Sequence, residues 1–282
     1  MMDILESIVK STSSKKNYNF EHEKRKDKTD KVEIIVYDNI EKNIFKNAYF
    51  IDGIQDAIIL KYVDNLPIIL VSVSSGYIDI ELNGFESKNK TFLICRKGME
   101  LIEYRNSIEI IELDIDDAEL YQLKADEIIN ENRDKIEEEV ACNLFEDGCS
   151  MIFVDGSIRS YDRRDNIVGV IKSNNTKYLK DERELYSLDR DEISSIFKFD
   201  FDGKTIYSLY YRLFSNVGND WDYGLVRLES YNIDTLITSL DYMKKCRQNE
   251  GSSDSRKDRH LKQIKTLEEY LKYTRHYIFK VI

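Results

Sequence analysis

Proline and histidine are nearly missing from this chain, and basic residues are outnumbered. One proline, Pro67, and 11 glycines among 282 residues leave few points at which the backbone must break. No Gly/Ser/Pro-rich linker separates two halves, so a single continuous domain over residues 1–282 is expected. Three histidines and four scattered cysteines, with no Cys-x-x-Cys, argue against a Cys/His zinc site; any metal would be held by oxygen. Cys95, Cys142, Cys149 and Cys246 read as reduced thiols of a cytoplasmic protein. No run approaches the roughly 18 consecutive apolar residues of a membrane span, and Met1 to Ser7 shows no basic region leading into an apolar stretch. Neither a membrane protein nor standard secretion is expected. With 42 Lys+Arg against 53 Asp+Glu the net charge is −11, which disfavours a protein that holds nucleic acid on a wholly basic face.

What is present is core-forming. Hydrophobic residues make up 41% and aromatic residues 11%, enough for a globular α/β domain. A short helix is expected over residues 2–11 and a polar, mobile connector over 13–31. Runs rich in Ile, Val, Tyr and Phe read as strands at Val32–Tyr37, Ala48–Ile51, Ala57–Val63, Ile68–Val73, Tyr77–Leu82 and Thr91–Cys95. Their short connections favour antiparallel pairing. From Asp116 to about Phe145, Ile129, Ile136, Val140 and Leu144 recur at helical steps. Strands at Met151–Val154 and Ile167–Ile171, a hairpin around Asp202-Gly203, an exposed loop over 248–258 and closing helices over 231–247 and 259–277 complete the pattern.

Asp-Gly occurs four times. At 202–203 it reads as a hairpin turn and at 147–148 as a helix stop. At 52–53 and 155–156 an apolar strand runs straight into the Asp, which places a carboxylate at a strand tip. If the two strands are neighbours, the paired charges need a cation. Mg²⁺ or Mn²⁺ prefers such oxygen ligands and supports phosphodiester hydrolysis. A third carboxylate is expected from Glu137-Glu138-Glu139 on the helix. The wheel places Glu137 on the flank of the apolar stripe and Glu138 opposite, so Glu137 is the better candidate, against the alternative of a solvated acidic face. Asp114, Asp116 and Asp117 resemble a metal-binding run but read better as helix-capping residues.

Phe-Ile-Asp-Gly-Ile-Gln at 50–55, the acidic helix, Phe-Val-Asp-Gly-Ser-Ile at 153–158 and Ile-Val-Gly-Val-Ile-Lys-Ser at 167–173 resemble the NurA nuclease family, as does Gly-Leu-Val-Arg-Leu-Glu at 224–229. The resemblance runs from about residue 45 to 277. It implies an RNase H-like mixed sheet with antiparallel first strands, flanked by helices, occupying residues 32–230 with inserted hairpins, between appendages at 1–31 and 231–282. It further implies a Mn²⁺- or Mg²⁺-dependent nuclease acting on single-stranded DNA and DNA ends, a homodimer, and partnership with a HerA-type hexameric ATPase. Asp52, Glu137 and Asp155 would be its metal ligands, with Glu138 open as the helix ligand. Tyr161 and His276 would stand for the family's tyrosine and C-terminal histidine, although the proline expected near that histidine is missing. Ile54 replaces a frequent Ser.

Lys172 could touch a phosphate or balance the carboxylates, and Arg159, Arg163 and Arg164 could steer DNA, Tyr161 lying among them; ordinary surface solubility competes with each of these roles. Two further readings stand beside the nuclease. One is a docking or regulatory subunit of an ATPase with an idle site, favoured by the net charge. The other is an enzyme acting on RNA or hybrids. End processing in repair and antiviral defence are both open.

Overall fold

The β-branched and aromatic runs after residue 47 fold into strands far longer than their local patterns suggest. In the computed structural model, which describes residues 16–17, 32–35, 47–99, 108–161, 164–172, 178–179, 183–215, 221–247 and 261–274, the first of these is one strand of 16 residues. The described strands are β1 (Lys16–Asn17), β2 (Glu33–Ile35), β3 (Ala48–Val63), β4 (Leu66–Asp79), β5 (Phe85–Arg96), β6 (Glu109–Leu113), β7 (Met151–Asp155), β8 (Ile167–Ile171), β9 (Ile196–Phe201), β10 (Lys204–Arg212) and β11 (Leu225–Ser230). They join one mixed sheet in the order β2-β9-β10-β11-β8-β7-β3-β4-β5-β6, with β1 beside β3. The helices are α1 (Ala118–Glu146), α2 (Arg183–Ser187), α3 (Ile233–Cys246) and α4 (Lys262–Thr274).

The expected antiparallel pairing holds for β3, β4 and β5, and β3, β7 and β8 run parallel in the middle of the sheet. Two expected breaks are absent. Asp52-Gly53 does not end a strand: both residues pair across to Gly76 and Ser75 inside β3. Likewise the separate strands expected at Ile68–Val73 and Tyr77–Leu82 are one strand, β4, which ends at Asp79. Asp-Gly is a good turn only when nothing else uses the missing side chain, and at Gly53 something does. The Asp202-Gly203 hairpin forms as expected, with φ of 49° and 72° at its two residues. Asp117 caps α1 by accepting from the Leu120 amide, 2.8 Å, which bears out the capping role.

Within the expected connector, Lys16 and Asn17 pair with Ile59 and Ile58 of β3 instead of forming a loose link. The expected helix at 2–11, the loop at 248–258, Arg163 and His276 lie outside the described residues.

The two sheet faces are sorted by strand alternation. Phe50, Phe153, Val168 and Val170 share a core with Leu236, Ile264 and Leu267 of α3 and α4. The residues between them, Ile51, Ile152 and Val154, point the other way onto Val140, Ala141 and Leu144 of α1. Further along, Val71, Val73 and Ile94 meet Tyr121, Ala125, Ile129 and Ile136 of the same helix. Phe50 and Phe153 stack at 4.7 Å between centroids, worth about 1 kcal/mol beyond their burial, and this locks the β3–β7 register at the position just before Asp52 and Asp155.

Candidate metal centre

Parallel pairing of β3 with β7, Ile51 beside Val154, carries Asp52 and Asp155 to the same level and, by alternation, to the face covered by α4. There β7 stops: Gly156 has a φ of 123°, a conformation that L side chains rarely adopt, and turns the chain away. β3 continues. Asp52 therefore sits in a strand whose parallel neighbour has just ended, at the carboxyl ends of β7 and β8, where open parallel sheets usually place ligands.

One carboxylate oxygen from each of Asp52, Asp155 and Glu268 of α4 lies within 4.8 Å of the other two. Asp52 is 9% exposed. Its Oδ1 accepts the Gly53 amide at 2.8 Å, whereas its Oδ2 is buried and accepts no hydrogen bond. An unpartnered buried carboxylate oxygen is costly unless a cation completes it. Oxygens around one Mg²⁺ stand at most about 4.2 Å apart, so a group converging within 4.8 Å is close to the spacing that a divalent ion requires.

Glu137 reaches the same centre from α1 on the opposite face. Opposite its carboxylate β3 carries Gly53; a Cβ there would overlap Glu137 Oε1 and come within 2.9 Å of its Cδ. Close approach, not a turn, is what this glycine supplies. Glu137 is paired with Arg133 Nε at 3.4 Å through Oε1 and accepts the Tyr161 hydroxyl at 3.3 Å through Oε2. Lys172, at the end of β8, donates to Asp155 Oδ2 at 2.6 Å, and both side chains are mostly buried.

Negative charge is in excess here. Burial, then Asp155 and Glu137, push the Asp52 carboxyl well above the ordinary carboxylate range; Lys172 pulls it back, and Glu268 adds to the rise. Burial raises Glu137 to about 7 against the pull of Arg133. The Tyr161 hydroxyl is driven well up by burial and by Glu137. The cluster is compatible with a bound divalent metal.

Of the residues singled out from the sequence, Asp52, Asp155, Glu137, Tyr161 and Lys172 meet at this centre. Arg159 is engaged elsewhere, stacked over Phe201 at 4.5 Å and Phe199 at 5.4 Å and donating to the Tyr178 hydroxyl at 2.7 Å. Arg164 lies over Phe145 at 4.3 Å. Glu138 is not among the carboxylates that converge at the cluster, and Glu139 pairs with Lys88 at 3.5 Å. Glu268 was missed. The available signal was its place on the flank of the Ile264, Leu267 and Leu271 stripe, the same signal that favours Glu137 on α1.

No helix among the described residues is long and apolar enough to cross a membrane. No protein-family model matches the chain, and no curated protein matches it. Among solved structures, the chain is similar to the crystal structure of the NurA nuclease from Sulfolobus solfataricus, with 10% sequence identity and a TM-score of 0.48, over 84% of this chain and 82% of that one.

Proposed function

We propose that this protein is a divalent-metal-dependent nuclease that hydrolyses phosphodiester bonds in single-stranded DNA and at DNA ends. The observation that carries the reading is the convergence of Asp52, Asp155 and Glu268, together with the buried, unpartnered Oδ2 of Asp52. Asp52 and Asp155 would hold the metal, and Glu268 and Glu137 would complete its surroundings. Bound there, Mn²⁺ or Mg²⁺ would polarise a phosphoryl oxygen and favour attack by water.

The chain's own groups supply the rest. Glu137, held by Arg133 and Tyr161 beside the metal ligands, is placed to take a proton from the attacking water. The Tyr161 hydroxyl fixes the orientation of that carboxylate through its bond to Oε2. Lys172 offers its ammonium to a non-bridging phosphate oxygen once a metal takes over Asp155. Incubation of the purified protein with labelled single-stranded DNA and Mn²⁺ tests this. Cleavage by the wild type, lost in Asp52→Ala and Asp155→Ala with folding preserved, is the expected result; equal cleavage by either variant rejects it.

A second reading has its own support. Lys172 already neutralises Asp155 at 2.6 Å, and the net charge is −11, both of which suit a docking or regulatory subunit with an idle site. Under that reading, carboxylate variants leave assembly with a HerA-type ATPase and its output unchanged. The ring partner, the homodimer and the use of Mn²⁺ or Mg²⁺ rest on the sequence resemblance, which leaves repair and antiviral defence both open.

A further inference from the structure

The Gly-Leu-Val-Arg-Leu-Glu segment at 224–229 has no role in the chemistry above, yet it contains the most deeply buried ion pair described in the protein. Arg227 and Glu229, two residues apart on β11, point to one face with side chains 7% and 0% exposed and stand 2.6 Å apart. Glu229 does more than neutralise Arg227. Its Oε1 accepts the Ser157 hydroxyl at 2.6 Å and the Ile158 amide at 2.9 Å, while Oε2 takes the guanidinium. Both donors belong to the turn that leaves Asp155 and leads to Tyr161.

Other contacts hold the same turn. The Gly156 amide donates to Val170 O at 3.0 Å. The Tyr231 hydroxyl, one residue beyond β11, donates to Ile158 O at 3.0 Å and to Tyr161 O at 3.3 Å. Gly169 of β8 lets the turn settle onto the sheet, since a Cβ there would fall 2.6 Å from Gly156 O and 3.1 Å from Glu229 Cγ. Arg227 is fixed in turn by the Tyr178 ring, 4.5 Å from its guanidinium carbon, and by Ser208 Oγ at 3.3 Å.

A buried ion pair is a poor way to gain stability, because apolar residues of similar volume usually stabilise a core at least as well. What an apolar pair cannot supply is a double acceptor aimed at a turn. We infer that Glu229, charge-balanced by Arg227, is a positioning residue that sets the Ser157–Ile158 turn and thereby fixes Asp155 at one end and Tyr161 at the other. The inference rests on the reading of Asp155 as a metal ligand and of Tyr161 as the group orienting Glu137.

Because removing the Glu229 charge alone strands a buried guanidinium, the test uses Arg227→Met/Glu229→Met together, with Arg227→Met/Glu229→Gln as the conservative variant that keeps an acceptor at Oε1. Three quantities are read on each folded protein: amide exchange at Ile158, Mn²⁺ dissociation constant by calorimetry, and kcat and KM on single-stranded DNA. In Arg227→Met/Glu229→Met, exchange should quicken at least about tenfold, Mn²⁺ affinity should weaken about tenfold, as loss of second-layer support typically does, and kcat should fall about tenfold with KM within threefold. Arg227→Met/Glu229→Gln should recover most of each loss. A folded Arg227→Met/Glu229→Met variant with Mn²⁺ affinity and kcat within threefold of wild type overturns the inference. If the wild type binds Mn²⁺ but does not cleave DNA, the nuclease reading fails, and Mn²⁺ affinity still decides the role of Glu229. If the wild type does not bind Mn²⁺ either, the exchange rate of Ile158 decides, and equal rates overturn it.

Discussion

Glu137 of α1 and Gly53 of β3 fit together as a carboxylate and the space left by a missing side chain: any Cβ at position 53 would overlap Glu137 Oε1. The glycine permits a helix on one face of the sheet to place charge beside an aspartate that points to the other.

Gly53→Ala should therefore act on Glu137 rather than on the strand. Alanine fits extended backbone, but the carboxylate must move, at a cost of about 1–3 kcal/mol. Thermal unfolding and single-turnover cleavage together check this. The expected result is a folded, somewhat destabilised protein with activity reduced at least about tenfold; unchanged activity would mean that the position of Glu137 is immaterial.

Asp52→Asn should move stability and activity in opposite directions. Burial and three neighbouring carboxylates disfavour the Asp52 charge. Removing that charge should stabilise the metal-free protein at pH 8 while abolishing cleavage. Denaturant unfolding in EDTA measures the first and a DNA assay the second. A less stable metal-free variant would contradict the repulsion described at the centre.

Metal-free stability should also depend on pH through Glu137. In the unfolded chain this carboxyl titrates near 4.5, and in the fold near 7. Below pH 4.5 both states hold the proton. Between the two values only the unfolded chain releases it, so stability falls as pH rises, by up to about 3 kcal/mol, and levels off above about 7. The difference between wild type and Glu137→Gln, measured in EDTA from pH 4.5 to 8, isolates this contribution and should shrink as pH falls. Saturating Mn²⁺, at a hundredfold excess over its dissociation constant, should restore about 2.7 kcal/mol at pH 8.

Glu268 and Glu137 should separate in their effects. The oxygens that converge with Asp52 and Asp155 belong to Glu268, whereas Glu137 is engaged by Arg133 and Tyr161. Glu268→Gln should weaken Mn²⁺ binding at least about tenfold. Glu137→Gln should lower kcat more than it alters affinity. Calorimetric titration of the two variants decides, and a reversed order would make Glu137 the third ligand.

Local chemistry was readable in advance wherever it acts within a few residues. The Asp117 cap, the Ile129, Ile136, Val140 and Leu144 stripe of α1, and the Asp202-Gly203 hairpin follow from hydrogen bonding, helical period and backbone preference, which are short-range. Asp52, Asp155 and Glu137 stood out for the same reason: a carboxylate after an apolar run, or on the flank of an apolar helix face, is conspicuous by itself. Yet the pattern at 52–53 reads as a strand tip, because the demand on Gly53 comes from a helix more than eighty residues away in the chain.

The sequence by itself determined which segments bury which side chains, since burial of apolar groups at period two or near 3.6 needs no partner to be named. Tertiary structure alone decided that β7 lies parallel to β3, that Glu268 joins Asp52 and Asp155, and that Lys172 rather than an arginine answers Asp155. Those choices depend on strand order and helix docking, in which distant segments are brought together against chain entropy and like charges are held close by the packing of Phe50 on Phe153 and of α4 on the sheet. No local preference encodes that balance.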